Sequence, residues 1–178
     1  MVKKILYLCL VCLIVYGCKK APSPAATDEL LLPPGEEMVD GCIEMQSRVV
    51  QSTVEWRGLT WIYEISRKPD SGLPQVADDD GYLCTDNRVS LSILQGEREV
   101  LLREFTKADF RSYVAADFYD RSVLEGLVFY RAADEGLQFA TSLSYPHGSD
   151  NYVSLLITVD EGGSVSIRQD DLLDDEDF

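Results

Sequence analysis

One histidine, His147, stands in a chain of 178 residues. A zinc site of the usual kind needs several imidazoles or a thiolate cluster, and this chain has neither to spare. A Ser-His-Asp hydrolase needs a nucleophile on a strained turn, and no G-x-S-x-G occurs. His147-Gly148-Ser149-Asp150 reads instead as a loop between strands. Basic residues are also scarce, 16 against 31 acidic, for a net charge of −15. Such a chain is repelled by nucleic acid and by anionic head groups. Long apolar runs are missing too: the longest, Ile5 to Tyr16, holds about twelve residues, where a membrane span needs roughly twenty. There is no internal repeat.

What the first residues do contain is an export signal. Lys3 and Lys4 precede the apolar run, and Val15-Tyr16-Gly17-Cys18 has the form of a lipobox, cut before a cysteine that is then acylated. Residues 1–17 are expected to leave as a signal peptide, and Cys18 to carry the lipid, including palmitate. Loss of Lys3 and Lys4 takes the net charge from −15 to −17. Contact with a membrane must then come from acyl chains, of which two or three anchor stably. Residues 18–35, rich in Pro, Ala and small polar groups with no period of 2 or 3.6, read as a tether. Its seventeen residues from Lys19 reach about 55 Å when extended. Residues 36–169 suffice for one domain with a core, and 170–178 form an acidic tail around Leu172-Leu173, expected to be solvated.

Within the domain, period-two alternation recurs. Val54-Glu55-Trp56-Arg57-Gly58-Leu59-Thr60-Trp61 predicts a hairpin turning at Arg57-Gly58, because glycine takes the positive φ of a tight turn. This register sets Trp56 opposite Leu59 and Val54 opposite Trp61. One face collects Val50, Val54, Trp56, Leu59, Trp61, Tyr63 and Ile65. The other carries Gln51, Thr53, Glu55, Thr60, Glu64 and Ser66, with Ile62 its apolar exception. Further strands are read at Arg88 to Leu94, Val100 to Phe105, Val123 to Tyr130, Leu137 to Tyr145, Tyr152 to Val159 and Ser164 to Arg168. The register of the Arg88–Phe105 pair is open by one residue. The fold class is mainly β: an antiparallel sandwich or barrel-like sheet of about seven or eight strands. Thr106-Lys107-Ala108-Asp109 has the form of a capping box and predicts one short helix from Lys107 to about Ala115. The alternative is α+β, with a second helix over Glu36 to Arg48.

Several stretches together resemble a known family. They are Trp56-Arg57-Gly58, Arg67-Lys68-Pro69-Asp70, Leu73-Pro74-Gln75-Val76, Asp78, Asp86-Asn87, Phe105-Thr106-Lys107 with Phe110, Leu124-Glu125-Gly126-Leu127-Val128-Phe129, Phe139-Ala140 with Ser142 and Pro146, and Asp170-Asp171-Leu172-Leu173-Asp174. On these residues the chain resembles the Bacteroidetes lipoproteins that carry domain of unknown function 4738. The resemblance covers nearly all of the chain after the signal and implies an address and an architecture, but no chemistry. Such lipoproteins, when sent to the cell surface, carry acidic residues directly after the acylated cysteine. Here Lys19, Lys20 and Ala21 follow it, and the first acidic residue is Asp28. The resemblance therefore implies the periplasmic face of the outer membrane.

Candidate sites are few. Asp78, Asp80 and Asp86 offer hard oxygen ligands of the kind calcium takes, but an EF-hand loop placing Gly81 sixth would need acids where Val76 and Asn87 stand. The ordinary reading is an acidic turn with side-chain-to-backbone bonds, and no cofactor is otherwise implied. Cys42 and Cys84 are the two cysteines left in the domain. They read either as a disulfide closing about forty residues, worth on the order of 4 kcal/mol, or as two buried free thiols. Trp56, Trp61, Tyr63, Tyr145 and Tyr152 either form a sugar-stacking platform or fill the core, and their alternation with aliphatic residues places most of them in the core. No catalytic residue is assigned. The chain reads as an envelope lipoprotein with a binding or structural role toward a protein or glycan. The competing class is a glycan hydrolase or glycan-binding module using carboxylates at a sheet-end cleft, and 31 acidic residues make a chance pair too common to decide it.

Overall fold

Alternation becomes antiparallel pairing along most of the computed structural model, which describes residues 37–39, 42–146 and 151–170. All of these lie in the compact unit Pro33–Phe178. A short ribbon of β1 (Glu37–Val39) and β2 (Cys42–Glu44) comes first, where a helix over Glu36 to Arg48 was the alternative expectation. The α+β alternative is thereby overturned: the segment pairs edge to edge, Val39 opposite Cys42.

Next come β3 (Arg48–Trp56) and β4 (Leu59–Pro69), a small ribbon of β5 (Val76–Ala77) and β6 (Leu83–Cys84), then β7 (Asn87–Gln95) and β8 (Arg98–Phe105). A four-stranded sheet runs β3-β4-β7-β8. The predicted hairpin register holds, with Trp56 opposite Leu59 and Val54 opposite Trp61. Arg57 and Gly58 both take positive φ, 53° and 73°, the conformation of a hairpin turn whose twist matches its strands. One residue of the inward set is left uncovered: Leu59 is exposed. The open register of β7 and β8 resolves with Val89 opposite Phe105 and Ile93 opposite Leu101, then shifts at a bulge after Ile93.

The predicted helix is of a different kind. Lys107–Tyr113 is a 3₁₀ helix, and a separate α-helix, α1 (Ala116–Arg121), follows it. The predicted box is used: the Thr106 amide donates to Asp109 Oδ2 at 2.9 Å. Lys107, Phe110 and Tyr113 recur every third residue, which suits a three-residue turn that aligns them on one side. The first two are buried and Tyr113 half-buried.

The second sheet comprises β9 (Val123–Leu124), β10 (Val128–Ala132), β11 (Leu137–Ser144), β12 (Tyr152–Val159) and β13 (Val165–Gln169). Its order is β10-β11-β12-β13, and β9 pairs the far end of β11. The single strand expected over Val123 to Tyr130 is thus two. Asp86 Oδ1 accepts the Leu124 amide at 2.8 Å and Asn87 Nδ2 donates to the Leu124 carbonyl at 2.7 Å, so the start of β7 draws β9 aside. Gly126, at φ 155°, turns the chain back between them.

The sheets face one another across one core. Trp61, Tyr63, Ile65, Val89, Leu91 and Ile93 come from the first sheet, and Leu137, Phe139, Leu143, Leu155, Ile157 and Val159 from the second, all buried in a single cluster. Tyr63 packs between Phe129 and Phe139 with ring centroids 5.0 and 5.6 Å away. The architecture is an antiparallel β-sandwich of two separate sheets, not a closed barrel.

Candidate functional site

Three hairpin turns gather at one end of the sandwich. The indole N–H of Trp56 donates to the Ala133 carbonyl at 2.7 Å, and Arg57 Nη2 to the Asp134 carbonyl at 2.8 Å. Arg57 Nη1 reaches Glu161 Oε2 at 3.2 Å. This end is therefore laced shut between the sheets. The opening lies beside it, on the outer face of the second sheet.

That face arises from the same alternation that builds the core. Leu137, Phe139 and Leu143 of β11 point inward, so Gln138 points outward, and its register partners share its face. Arg131, Gln138, Thr158 and Ser166 stand directly opposite one another across β10, β11, β12 and β13. The row is bonded from Arg131 to Thr158: Arg131 Nε donates to Gln138 Oε1 at 2.7 Å, and Gln138 Nε2 to Glu135 Oε1 at 2.7 Å and to Thr158 Oγ1 at 3.4 Å. Gln138 is buried, which fixes both ends of its amide.

Over the Thr158–Ser166 end of the row sits a cleft of about 450 Å³ lined by Glu135, Thr158, Asp160, Ser164, Val165, Ser166 and Arg168. Asp160 Oδ1 accepts the amides of Ser164 and Gly162 at 2.8 and 2.9 Å. These amides, Ser164's first, hold its carboxyl below the usual carboxylate range. Asp160 is committed to its own turn as an acceptor. Arg168 Nη1 lies 3.2 Å from Oδ1 of Asp170. Asp170 itself is buried and its amide donates to the Ser154 carbonyl at 3.1 Å, so the first residue of the expected solvated tail is packed structure.

A second polar centre lies inside the fold. Lys107 Nζ donates to the Ser122 carbonyl at 2.6 Å and lies 3.9 Å from Asp86 Oδ2. Burial pushes the Asp86 carboxyl up, against the opposing pull of the Leu124 and Asn87 amides and of Lys107. Burial pushes the Lys107 ammonium down. The cavity nearest these elements is lined by Val89, Phe105, Phe110, Leu124 and Ile157 among others, and is apolar packing space. This centre pins β7, the 3₁₀ helix and β9 together.

The residues singled out from the sequence fall in separate places. Asp78 Oδ1 accepts the amides of Asp80 and Tyr82 at 3.0 and 2.8 Å, so it closes its own turn. Asp86 faces Lys107 and two amides. Among the described residues no three His, Cys, Asp or Glu side chains gather in a group that could hold a metal. Cys84 is buried and disulfide-bonded, and β6, which carries it, lies alongside β2. The side chain of Cys42 on β2 lies outside the described residues, as do Cys18, residues 1–36, His147 to Asp150 and residues 171–178. Trp56, Trp61 and Tyr63 are buried in the core, Tyr145 stacks on Phe118 at 5.1 Å, and Tyr152 is exposed. The row lies in the phase complementary to the apolar one of β11 and β12, which the inward pattern of the core does not mark. Gln138, Ser142, Ser144, Ser154 and Thr158, all polar in the opposite phase, were the available signal.

The fold and this outer-face cleft define an antiparallel β-sandwich domain. The family model described as domain of unknown function DUF4738 matches residues 33–167, and the chain belongs to that family. No curated protein matches the chain. The match takes in every cleft residue except Arg168.

Proposed function

We propose that this protein is a lipid-anchored envelope protein that works by binding, through the outer face of its second sheet. The cleft over Thr158 and Ser166 carries the reading. Its Glu135 is held by the amide of buried Gln138, and it presents hydroxyls and charged groups that the core does not use. Ligand sites are concave, with a few polar groups held in place by their surroundings. The anchor is read from Val15 to Cys18, with residues 18–35 as the tether behind it. The domain is placed on the periplasmic face of the outer membrane.

Two measurements on cells test this. A palmitate analogue should label the chain and fail to label the Cys18→Ser variant. A photo-crosslinking residue at Ser166 should form adducts in intact cells, while one at Gln51, on the outer face of the other sheet, should not. An unlabelled chain, or equal crosslinking from both positions, would overturn the corresponding half of the reading.

A further inference from the structure

We infer that the ligand of this cleft is a neutral saccharide, an assignment that rests on the binding role proposed above. The charged groups around the cleft are already compensated within the protein. Arg168 faces Asp170, Asp160 is held by the amides of its turn, and Glu135 closes a chain that runs through Gln138 to Arg131. An ionic ligand would have to displace these pairings to gain much. A ligand whose groups both donate and accept needs no such exchange.

Sugar hydroxyls are groups of that kind, and adjacent ones match planar side chains that offer two hydrogen-bonding atoms at once. Glu135 and Arg168 are two such planes in the cleft, with the hydroxyls of Thr158, Ser164 and Ser166 between them. The row from Arg131 to Ser166 crosses four strands, about 14 Å at roughly 4.8 Å per strand. The exposed ring of Tyr130 lies beside it, 5.1 Å from the guanidinium of Arg131, and supplies an apolar face for ring C–H groups. Because buried Gln138 donates to Glu135 and holds it in place, little ordering of that carboxylate remains to be done on binding.

The competing ligand is an extended peptide added to the edge of β13. The 3₁₀ helix packs along β13, and Gly163 at its entry lies against the Val100 carbonyl of β8. That edge is covered, so the ligand lies on the face of the sheet instead.

The test is titration of the full acylated chain in detergent with maltohexaose, cellohexaose, chitohexaose and mannohexaose, followed by amide NMR shifts. At least one should bind at millimolar concentration, with shifts centred on Glu135, Thr158, Ser164, Ser166 and Arg168. Glu135→Ala should weaken it roughly tenfold or more, and Ser166→Trp, which fills the cleft from an exposed position, should abolish it. Gln51→Trp should leave it unchanged. Both cleft substitutions are on exposed side chains, and unchanged melting temperatures separate lost binding from lost fold. Silence with all four sugars, or shifts centred elsewhere, would overturn the assignment. If crosslinking from Ser166 then captures a polypeptide, the binding reading survives and the saccharide does not.

Discussion

The indole N–H of Trp56 and the carbonyl of Ala133, 2.7 Å apart, join the β3–β4 hairpin of one sheet to the β10–β11 turn of the other. Trp56 also packs on Trp61 at 5.2 Å, so a single side chain contributes burial, a ring contact and an intersheet bond. Trp56→Phe should therefore cost more than the lost area implies, by about 1 kcal/mol for the unpaired carbonyl. Trp61→Ala, at the centre of the core, should cost about 3 to 5 kcal/mol. Urea unfolding of both variants checks the order, and an unchanged midpoint for Trp61→Ala would contradict the core described above.

Gly136 has no room for a side chain. A Cβ there would overlap the carbonyl oxygen of Val159 on the neighbouring strand. Gly136→Ala should destabilise by about 1 to 3 kcal/mol through forced backbone movement. At Gly72 a Cβ would meet only a flexible carboxylate, Asp70 Oδ1 at 3.1 Å, and alanine should be tolerated far better. Equal melting temperatures for the two variants would show that the β10–β11 turn is looser than described.

Burial raises the carboxyl of Asp86 above the usual carboxylate range. A group that binds its proton more tightly in the folded state favours folding fully below the unfolded value. That contribution is lost as pH rises through the raised folded value. The stability of the native chain relative to Asp86→Asn should therefore fall as pH rises from below 4 toward neutrality. Guanidinium melts of both proteins across that range measure the difference, and a flat or rising difference would contradict it. Lys107→Met, which leaves the carboxylate buried without its cation, should cost about 3 kcal/mol near neutral pH.

Cys84 carries no free thiol. We predict that its partner is Cys42, so that thiol labelling of the unfolded, unreduced chain finds neither, and Cys42→Ser exposes Cys84. Loss of the bridge should cost on the order of 4 kcal/mol. A labelled Cys84 in the native chain, or a silent one in Cys42→Ser, would exclude the pairing.

Protease added to intact cells should leave the domain intact until the outer membrane is permeabilised. Rapid loss beforehand would place the domain outside and show that Lys19 and Lys20 do not report its side of the membrane.

Alternation and turn chemistry alone determined the β3–β4 register, the turn at Arg57-Gly58, and the inward set Trp56, Trp61, Tyr63 and Ile65, because a period of two and a positive φ are local demands. They also determined that a helical turn follows Thr106, since Asp109 lies at capping distance in sequence. Tertiary structure decided the rest. Leu59 has the inward phase, but phase does not say how far the opposite sheet extends, and Trp56 already meets that sheet's end at Ala133. The break between β9 and β10 depends on Asp86 and Asn87, some 38 residues away, binding Leu124. The cleft depends on a register running from Arg131 to Ser166. No local pattern names residues that meet only when four strands align, because each strand's phase is local and their alignment is set by the whole packed core.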